Sequence, residues 1–408
     1  MLAQATAASD RVVYPLSVDD LECERCFAQD GAILDLKAVG IQIVESTCSV
    51  GHSQILGYLQ KAKTMLDIDF DCDPDYEVSI SPLFEPTVGT NPECTGGNQV
   101  LWTNDPASSC QRNLELIRLG KAWRAASRGH LQDAVLAIID SGVDMTHPDL
   151  VGQFWENPED GSIGYNFITN TTDVTDDNGH GTHCAGNAAA HTNNRIGIAG
   201  VANANFTVPY VKLMILKFLG SNGRGSISNA IRALNYAVEH GANVSSNSYG
   251  GTYKTETARV AFENAAAAGH AIFAAAGNSG KNLKSWPSYP CEFAENITGM
   301  LCVAASTSDP DRPASLADWS DAGSVTKIAA PGVWIYSTFL AGQYNYMSGT
   351  SASTATAAGV GALISSLGEA GGNLTEVLLK SKTAGIPNNF NLTDVGEIDA
   401  LRAVEISR

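Results

Sequence analysis

Residues 230–277 read AIRALNYAVEHGANVSSNSYGGTYKTETARVAFENAAAAGHAIFAAAG and contain two patterns in alternation. Apolar residues recur at helical spacing over AIRALNYAVEHG, which stops at a glycine, and again over ARVAFENAAAAGH. The short runs ANVSSNS (242–248) and AIFAAAG (271–277) are typical of buried strands. Helices that alternate with buried strands predict a parallel sheet that is covered on both faces.

The same alternation continues on both sides of this stretch. AVLAIID (134–140) is a further buried strand before it, and short strands are predicted after it in MLCVAAST (300–307), KIAAPG (327–332) and WIYST (334–338). The helix after Gly349 consists almost wholly of small residues, as expected of a buried central helix. We therefore predict an α/β fold with a doubly wound, mostly parallel sheet and helices on both faces.

Residues 1–82 are predicted to form a separate small α+β unit of the ferredoxin-like kind. Three segments carry this prediction: a strand in GAILDLKAVGIQIVES (31–46), a helix in HSQILGYLQKAKTM (52–65) and a closing strand in YEVSIS (76–81). Residues 83–104 are rich in Pro, Gly, Thr and Asn and are predicted to be a linker. The larger domain then spans residues 105–408.

Charge supports this division into two units. The formal net charge is −18, and the segment Met1–Thr103 alone holds 16 acidic and five basic residues. The negative charge argues against nucleic acid and anionic membranes as partners. Aspartates alternate from Asp67 to Asp75, and this pattern favours a solvated strand face over a calcium loop, because the Gly and distal Glu of an EF-hand are missing.

Targeting signals are not recognised in the sequence. No run of eighteen apolar residues exists, so no membrane span is expected. The first twenty residues lack the basic start and apolar stretch of a signal peptide. Six Asn-x-Ser/Thr sites nevertheless fit a secretory route and predict a glycoprotein. They begin at Asn170, Asn205, Asn243, Asn296, Asn373 and Asn391.

Nine cysteines, an odd number, leave at least one thiol unpaired within the chain. Cys184 is the natural odd residue because it lies four residues after a candidate catalytic histidine. Cys291 could bridge to Cys302, and Cys94 and Cys110 flank the domain junction. The Cys23–Cys26 spacing would also suit zinc or redox chemistry, but no second such pair accompanies it, so disulfides are favoured.

Three segments together predict nucleophilic catalysis. Asp140 ends a buried strand, His180 lies between glycines in DDNGHGTHCAG, and Ser351 lies where a glycine-containing turn enters a helix. A serine hydroxyl needs a histidine to take its proton and a buried carboxylate to orient that histidine. Asn278, after AAAG at the end of another strand, is the candidate oxyanion donor.

From about Asp105 to Val404 the chain resembles the subtilases, close to the thermitase and proteinase K branches. The motifs DSGVD, HPDL, GHGTHCAG, AAAGN, AAPG, WIYST and SGTS stand in the order of that family. The resemblance implies a serine endopeptidase that works through an acyl-enzyme. In this mechanism Asp140 orients the imidazole of His180, which acts first as general base and then as general acid. Ser351 attacks the peptide carbonyl, and Asn278 with the Ser351 N–H binds the oxyanion.

The resemblance also implies a substrate-binding groove. SNSYGG matches the substrate strand of the family, so Ser248, Tyr249 and Gly250 are expected to pair with an extended peptide. The wall of the primary pocket is expected at Ala275, Ala276 and Gly277, with Ser288 near its base. These small uncharged residues favour apolar or aromatic substrate side chains. GTSASTA replaces the family's GTSMATP. This difference bears on the exact pitch of the helix that carries the nucleophile and not on the identity of the nucleophile.

One structural calcium ion is implied and no catalytic cofactor. HTNNRIGIAG (191–200) resembles the calcium loop of the family, and hard oxygen ligands of mixed type suit this ion. The expected ligands are the side chains of Asp105, Asp149 and Asn194 and the carbonyls of His191, Ile196 and Ile198. A second site of thermitase-like relatives is not predicted, because Thr169 and Thr171 replace its acids.

The N-terminal unit resembles the inhibitor-type propeptide of the family in pattern and place. It would act as an intramolecular inhibitor and be cut within the linker. We therefore predict a secreted zymogen that is monomeric and acts on peptides or proteins. The alternative is a catalytically weakened subtilase that binds peptides. Another serine hydrolase lacks support because SGTSAS is not GxSxG, and a Rossmann protein is excluded by the missing glycine fingerprint.

Overall fold

A computed structural model describes residues 2–4, 33–39, 41–44, 72–73, 75–80, 94–202, 209–307 and 313–408. Its strands are, in chain order, β1 Leu2–Gln4, β2 Ile33–Leu36, β3 Ile41–Val44, β4 Cys72–Asp73, β5 Glu77–Ser79, β6 Ala134–Asp140, β7 Gly164–Asn166, β8 Val211–Lys217, β9 Arg224–Ser226, β10 Val244–Asn247, β11 Ala271–Ala275, β12 Met300–Ser306, β13 Thr326–Pro331, β14 Ile335–Phe339, β15 Gln343–Met347 and β16 Gly396–Glu397.

The α-helices are α1 Arg112–Leu116, α2 Leu119–Ala126, α3 His180–Ala189, α4 Ile227–Glu239, α5 Glu256–Ala267, α6 Thr350–Ser365, α7 Gly371–Ser381 and α8 Ala400–Ile406. Short 3₁₀ turns occur at Lys37–Val39, Pro106–Cys110, Cys291–Glu295 and Leu340–Gly342. None of the helices within the described ranges is long and apolar enough to cross a bilayer.

The central sheet has eight strands in the order β16-β13-β12-β11-β10-β6-β8-β7. Its neighbouring strands pair in parallel, for example Val244 with Leu136 and with Ala271. This confirms the predicted α/β class. The carboxyl ends of β6, β10 and β11 therefore lie along one edge, where parallel sheets place their sites.

Helix α6 passes through the core against this sheet. All of its residues from Thr350 to Ser365 are buried, and all but three, Val360, Leu363 and Ile364, are Ala, Gly, Ser or Thr. Small side chains let a helix approach strands closely on every side. A Cβ at Gly361, for instance, would lie 2.7 Å from the ring of Phe273. The composition that predicted a central helix is thus explained by its surroundings.

The N-terminal unit contributes an antiparallel sheet of order β2-β3-β1-β4. Strand β5, predicted to close this unit, is not part of it. Glu77–Ser79 pairs instead with Arg224–Ser226 of the larger domain. The prediction for YEVSIS was therefore right about the strand and wrong about its partner, because strand pattern does not encode which edge a strand joins. The predicted helix at 52–65 lies outside the described residues.

Two aspartates of the alternating series form hydrogen bonds with the larger domain. The Asp75 carboxylate accepts hydrogen bonds from Ser228 N (2.9 Å) and Ser228 Oγ (2.6 Å), in the first turn of α4. Asp73 accepts from Thr257 N and Oγ1 in the first turn of α5. Both acids thus bind at the positive end of a helix of the larger domain. Asp75 nevertheless remains exposed, as predicted for a solvated face, whereas Asp73 is half-buried.

Two predicted disulfides are present, Cys94–Cys110 and Cys291–Cys302. Cys184 is a buried free thiol, as its position suggested. The Cys23–Cys26 pair lies outside the described residues. The first bridge closes a loop across the junction between the linker and the larger domain, and a loop of this length is stabilised by about 3 kcal/mol in the chain-entropy account.

Candidate active site

Asp140 and His180 form a buried hydrogen-bonded pair. His180 Nδ1 lies 2.8 Å from Asp140 Oδ1 and 2.9 Å from Oδ2, and each residue is only 1% exposed. Asp140 is the last residue of β6 and His180 the first of α3. His180 Nε2 is also buried and has no hydrogen-bond partner among the described residues. The pair therefore presents one buried nitrogen as a proton acceptor.

The pKa of His180 lies well above its usual value. Burial acts to lower it, but the Asp140 carboxylate stabilises the imidazolium and outweighs burial, with Cys184 adding to the effect. Cys184 Sγ lies 4.0 Å from His180 Nδ1. Asp140, His180 and Cys184 are the one cluster of three potential metal ligands within the described ranges. Two of the three already form the hydrogen-bonded pair, so the cluster belongs to this site.

Glycines next to His180 allow the close approach that the sequence suggested. A Cβ at Gly181 would lie 2.2 Å from the carbonyl oxygen of Gly142. Gly179 has a φ of 101°, and a Cβ there would strike the ring of Phe339. A larger residue at Gly181 would push α3 away from the backbone that follows Asp140, and one at Gly179 would push it away from Phe339.

Asp176 and Lys217, which the motif analysis missed, hold these two elements together. The buried Asp176 carboxylate accepts from Ser141 Oγ (2.9 Å), from Gly179 N (2.9 Å) and from Thr182 Oγ1 (2.6 Å). Lys217 Nζ donates to the Ser141 carbonyl (2.5 Å). The residue after Asp140 is thereby tied to the first turn of α3. An acid four residues before the histidine was the available sequence signal.

Ser351 lies in the first turn of α6. Its Oγ donates to the Ser248 carbonyl (3.4 Å), and Ser248 Oγ donates to the Ser351 carbonyl (3.3 Å). Asn187 of α3 donates to the carbonyl of Ala352 (2.8 Å). The helix that begins at His180 and the helix that begins at Thr350 are thus joined one residue from Ser351.

The departure GTSASTA does not prevent α6 from forming. Thr354 Oγ1 donates to the Thr350 carbonyl (2.7 Å), and Ser353 Oγ lies 3.4 Å from the Gly349 carbonyl. These side chains bond within the first turn, which starts without proline. Alanine and serine at positions that differ from the family pattern are therefore compatible with the helix.

Asn278 follows β11 and is oriented by Thr350. Its Oδ1 accepts from Thr350 N (2.9 Å) and Thr350 Oγ1 (2.9 Å), and the same hydroxyl accepts from Gly277 N (3.1 Å). Because the amide oxygen is fixed in this way, the orientation of the amide nitrogen is fixed as well. The contact places Asn278 beside the residue that precedes Ser351.

Asp321 was not found by sequence analysis. Its Oδ1 accepts from Ser279 N (3.0 Å) and Lys281 N (2.6 Å), and its own N–H donates to the Gly277 carbonyl (2.8 Å). Burial raises the pKa of this carboxyl. Asp321 thus clamps the loop on both sides of Asn278. No local motif announced this contact, since the two segments are far apart in sequence.

The segment Ser248–Gly250, which follows β10, pairs with the N-terminal unit through Gly250. Ser79 N donates to the Gly250 carbonyl (3.0 Å), and Gly250 N donates to the Ser79 carbonyl (2.8 Å). A Cβ at Gly250 would lie 2.7 Å from Ser288 Oγ, so Ser288 borders this strand. Backbone pairing at Gly250 is the geometry expected for an extended peptide.

Tyr249 is buried within this strand. It is 1% exposed, its ring packs edge-on against Phe218, and its hydroxyl donates to Asn247 Oδ1 (3.0 Å). The side chain therefore supports the strand from the core side. Ala275 ends β11 and Ala276 follows it, and both are buried. The Gly277 carbonyl accepts a hydrogen bond from Asp321 N (2.8 Å).

The candidate calcium ligands Asp105 and Asp149 are both fully buried. Burial raises the pKa of Asp105 to about 6. Burial likewise raises the pKa of Asp149 to about 7, and the charge of Asp105 adds to it. No ion pair of either acid occurs in the described parts of the chain. Such uncompensated buried charge is what a divalent cation would neutralise.

The loop 191–198 wraps around Asp149. His191 N donates to the Asp149 carbonyl (2.9 Å), Ile198 N to its carboxylate (2.7 Å), and Asn194 Nδ2 to Oδ1 (2.8 Å). Asn194 Oδ1 accepts from Ile196 N (2.7 Å). The residues fit an oxygen-ligated ion, with the Asn194 amide turned around to offer its oxygen.

Four of the six glycosylation sequons lie at exposed asparagines. The exposed asparagines are Asn170, Asn296, Asn373 and Asn391. Asn243 is half-buried, and its side-chain oxygen accepts from Val135 N (2.8 Å). Asn205 lies outside the described residues.

Comparisons with known proteins agree on one family. The sequence profile of the Subtilase family matches residues 132–384. Thermitase of Thermoactinomyces vulgaris is 35% identical over 303 residues, which are 74% of this chain and 99% of that protein. Subtilisin DY of Bacillus licheniformis is 34% identical over 252 residues, 61% of this chain and 82% of that protein.

A solved structure extends the similarity to the fold. Fervidolysin from Fervidobacterium pennivorans, described as a keratinolytic enzyme related to subtilisin, superposes with a TM-score of 0.74. The sequence identity is 22%, and the alignment covers 94% of this chain and 59% of the fervidolysin chain. At that identity the likeness concerns the fold alone.

Proposed function

Because this chain belongs to the Subtilase family and is a subtilisin-like serine peptidase, we propose that it cleaves peptide bonds through an acyl-enzyme formed on Ser351. In this mechanism His180 Nε2 takes the Ser351 proton and later returns it to the leaving amine. Asp140, bonded to His180 Nδ1, holds the required tautomer and stabilises the imidazolium. The single observation that carries the proposal is the buried Asp140–His180 pair with its unpartnered Nε2 within the described chain.

Oxyanion stabilisation is assigned to Asn278 and the Ser351 N–H. The Thr350 contacts hold the amide of Asn278 in one orientation before substrate arrives. Preorganised donors of this kind cost no rearrangement during reaction, and one such donor contributes about 3 kcal/mol to transition-state binding. Substrate is proposed to pair with Ser248–Gly250, with Ala275, Ala276, Gly277 and Ser288 around an apolar primary pocket. Tyr249 supports that strand from beneath.

We further infer that the chain is a zymogen whose residues 1–82 act as an inhibitor. Strand β5 supports this, because Ser79 occupies the pairing positions of Gly250 that a substrate would use. Asp73 and Asp75 add polar contacts to α5 and α4. Cleavage is proposed between about Ser81 and Asn104. We also propose that the protein is secreted, glycosylated and monomeric. The exposed sequons support the glycosylation.

A structural calcium ion is proposed at Asp105, Asp149 and Asn194, with carbonyls of His191, Ile196 and Ile198. When bound, it would neutralise the two buried carboxylates and hold the loop 191–198 against the larger domain. It has no part in the proton transfers.

Self-processing is the experiment that tests this function. The purified chain is incubated beside Ser351→Ala, with Ser353→Ala as a matched control in the same helix, and the products are analysed by intact mass. We expect the parent and Ser353→Ala to lose the N-terminal unit and hydrolyse casein, and Ser351→Ala to stay at full length. Intact, inactive parent protein would instead favour the peptide-binding alternative.

A further inference from the structure

Tyr253 presents an aromatic face next to the groove. Its side chain is 60% exposed, although it stacks on Tyr76 of the N-terminal unit with ring centroids 4.2 Å apart and planes 6° from parallel. Tyr76 is also held through its backbone, since its carbonyl accepts from Ile227 N (2.9 Å). The stacked ring therefore belongs to the segment that pairs with the substrate strand.

The spacing along this segment shows which of its residues contact the larger domain. Val78 is 5% exposed and lines a pocket together with Ile227, Gly251 and Ala258 of the larger domain. Tyr76 lies two residues earlier and so faces the same side of the strand. Glu77, between them, pairs with Arg224 in an exposed ion pair.

We propose that Tyr253 is a binding site for an aromatic substrate side chain, at the sixth residue before the cleaved bond. This rests on the proposed function, and the position follows from the register. Ser79 pairs with Gly250, and Ser248, two residues earlier, contacts Ser351. If a substrate pairs with this segment in the same antiparallel way, the substrate residue opposite Ser248 supplies the carbonyl that Ser351 attacks. The substrate residue that lies over Tyr253 then comes five positions earlier in the substrate.

The chemistry of the site selects aromatic rings. Offset stacking between flat rings adds attraction beyond the apolar area that an aliphatic side chain would bury. The neighbouring Glu77–Arg224 pair is more than half exposed on both sides, and such pairs contribute little in water. The preference for an aromatic residue at the sixth substrate position before the cleaved bond is therefore expected to exceed any preference for an acidic residue at the fifth.

Two quenched fluorogenic peptides test the proposal with the processed enzyme. They are identical, with valine fourth before the cleaved bond, except for tyrosine or alanine at the sixth position, and mass analysis verifies the cleaved bond. We expect kcat/KM to favour the tyrosine peptide by roughly two- to tenfold in the parent and in Tyr253→Phe. The ratio falls to about one in Tyr253→Ala, while the alanine peptide is hydrolysed as by the parent.

An unchanged ratio in Tyr253→Ala overturns the proposal. The proposal is also overturned if Tyr253→Ala changes only the rate at which the N-terminal unit is released and not the hydrolysis of the peptides, because Tyr253 would then bind the pro-segment alone. If the parent hydrolyses neither peptide, the proposed function itself fails, and this inference falls with it.

Discussion

The carboxylate of Asp73 binds Thr257 through two hydrogen bonds of 2.7 Å, one from the backbone N–H and one from the hydroxyl. Thr257 lies in the first turn of α5, so an acid of the N-terminal unit supplies a cap to a helix of the larger domain. Thr255, the residue at the helix start, caps it as well through Ala258 N. Because Thr255 already caps α5, the main effect of the Asp73 contact is to bind the N-terminal unit to the larger domain.

Asp73→Ala, in an uncleaved Ser351→Ala chain, is expected to lower the first melting transition by a few degrees. Loss of a cap costs roughly 0.5–2 kcal/mol, and the Thr257 donors lose a partner. Glu77→Ala in the same chain is the matched control, since its exposed pair with Arg224 contributes little. Equal effects of the two substitutions, measured by calorimetry, would contradict the capping role.

Asp140→Asn is expected to lower kcat by roughly four orders of magnitude with little change in KM. The amide cannot hold the required imidazole tautomer or stabilise its charge. Because the pKa of His180 is raised in the parent, and the base must be neutral, the acid limb of kcat/KM lies above the ordinary histidine value of 6.5. In the variant that limb moves to lower pH.

The pH profile of residual activity measures this shift. Asp133→Asn, at an exposed aspartate just before β6, is the control and leaves both kcat and the limb unchanged. An acid limb in Asp140→Asn at the parent's position would show that another group sets it.

Asp321→Ala is expected to reduce kcat by about tenfold while KM changes little. The substitution leaves the N–H groups of Ser279 and Lys281 without their acceptor, and the loop that carries Asn278 loses its clamp. Asp321→Asn keeps one acceptor oxygen and should restore most of the activity. Steady-state kinetics of the two variants, together with their melting temperatures, test whether Asp321 positions Asn278. A change in KM as large as the change in kcat would argue against this role.

Calcium is expected to raise the melting temperature by several degrees at pH 8 and by much less at pH 5. The metal-free folded chain has raised pKa values of about 6 at Asp105 and about 7 at Asp149, so it binds more protons than the unfolded chain between pH 4 and 7. In that window these two groups therefore make the metal-free chain less stable as pH rises. At low pH, protons compete with calcium for the two carboxylates. At high pH the carboxylates are ionised and can bind the ion.

The measurement is melting with calcium or with a chelator across this pH range. Asp149→Asn should abolish most of the calcium response, because it removes one of the two charges. A chelator effect of the same size at both pH values would mean that a different site binds the ion.

Local patterns were sufficient for the α/β class and for the residues that end strands or begin helices. AVLAIID and AAAGN place Asp140 and Asn278 at strand ends. In the structure Asp140 is the last residue of β6, and Asn278 lies three residues beyond the end of β11. The contacts that support these residues were not predictable. Asp321 reaches Asn278's loop from more than forty residues away, and strand β5 pairs with β9 in another unit. Such contacts depend on tertiary packing, which periodicity does not record.

The tightly enclosed helix α6 has a consequence for protein engineering. A library that randomises residues 350–365 would produce mostly destabilised chains, because every residue there is buried and larger side chains would overpack the core. Diversity is better spent at Tyr253 and Arg224, whose exposed side chains can change without disturbing the interior. The scaffold and the selectivity of this enzyme can therefore be altered independently.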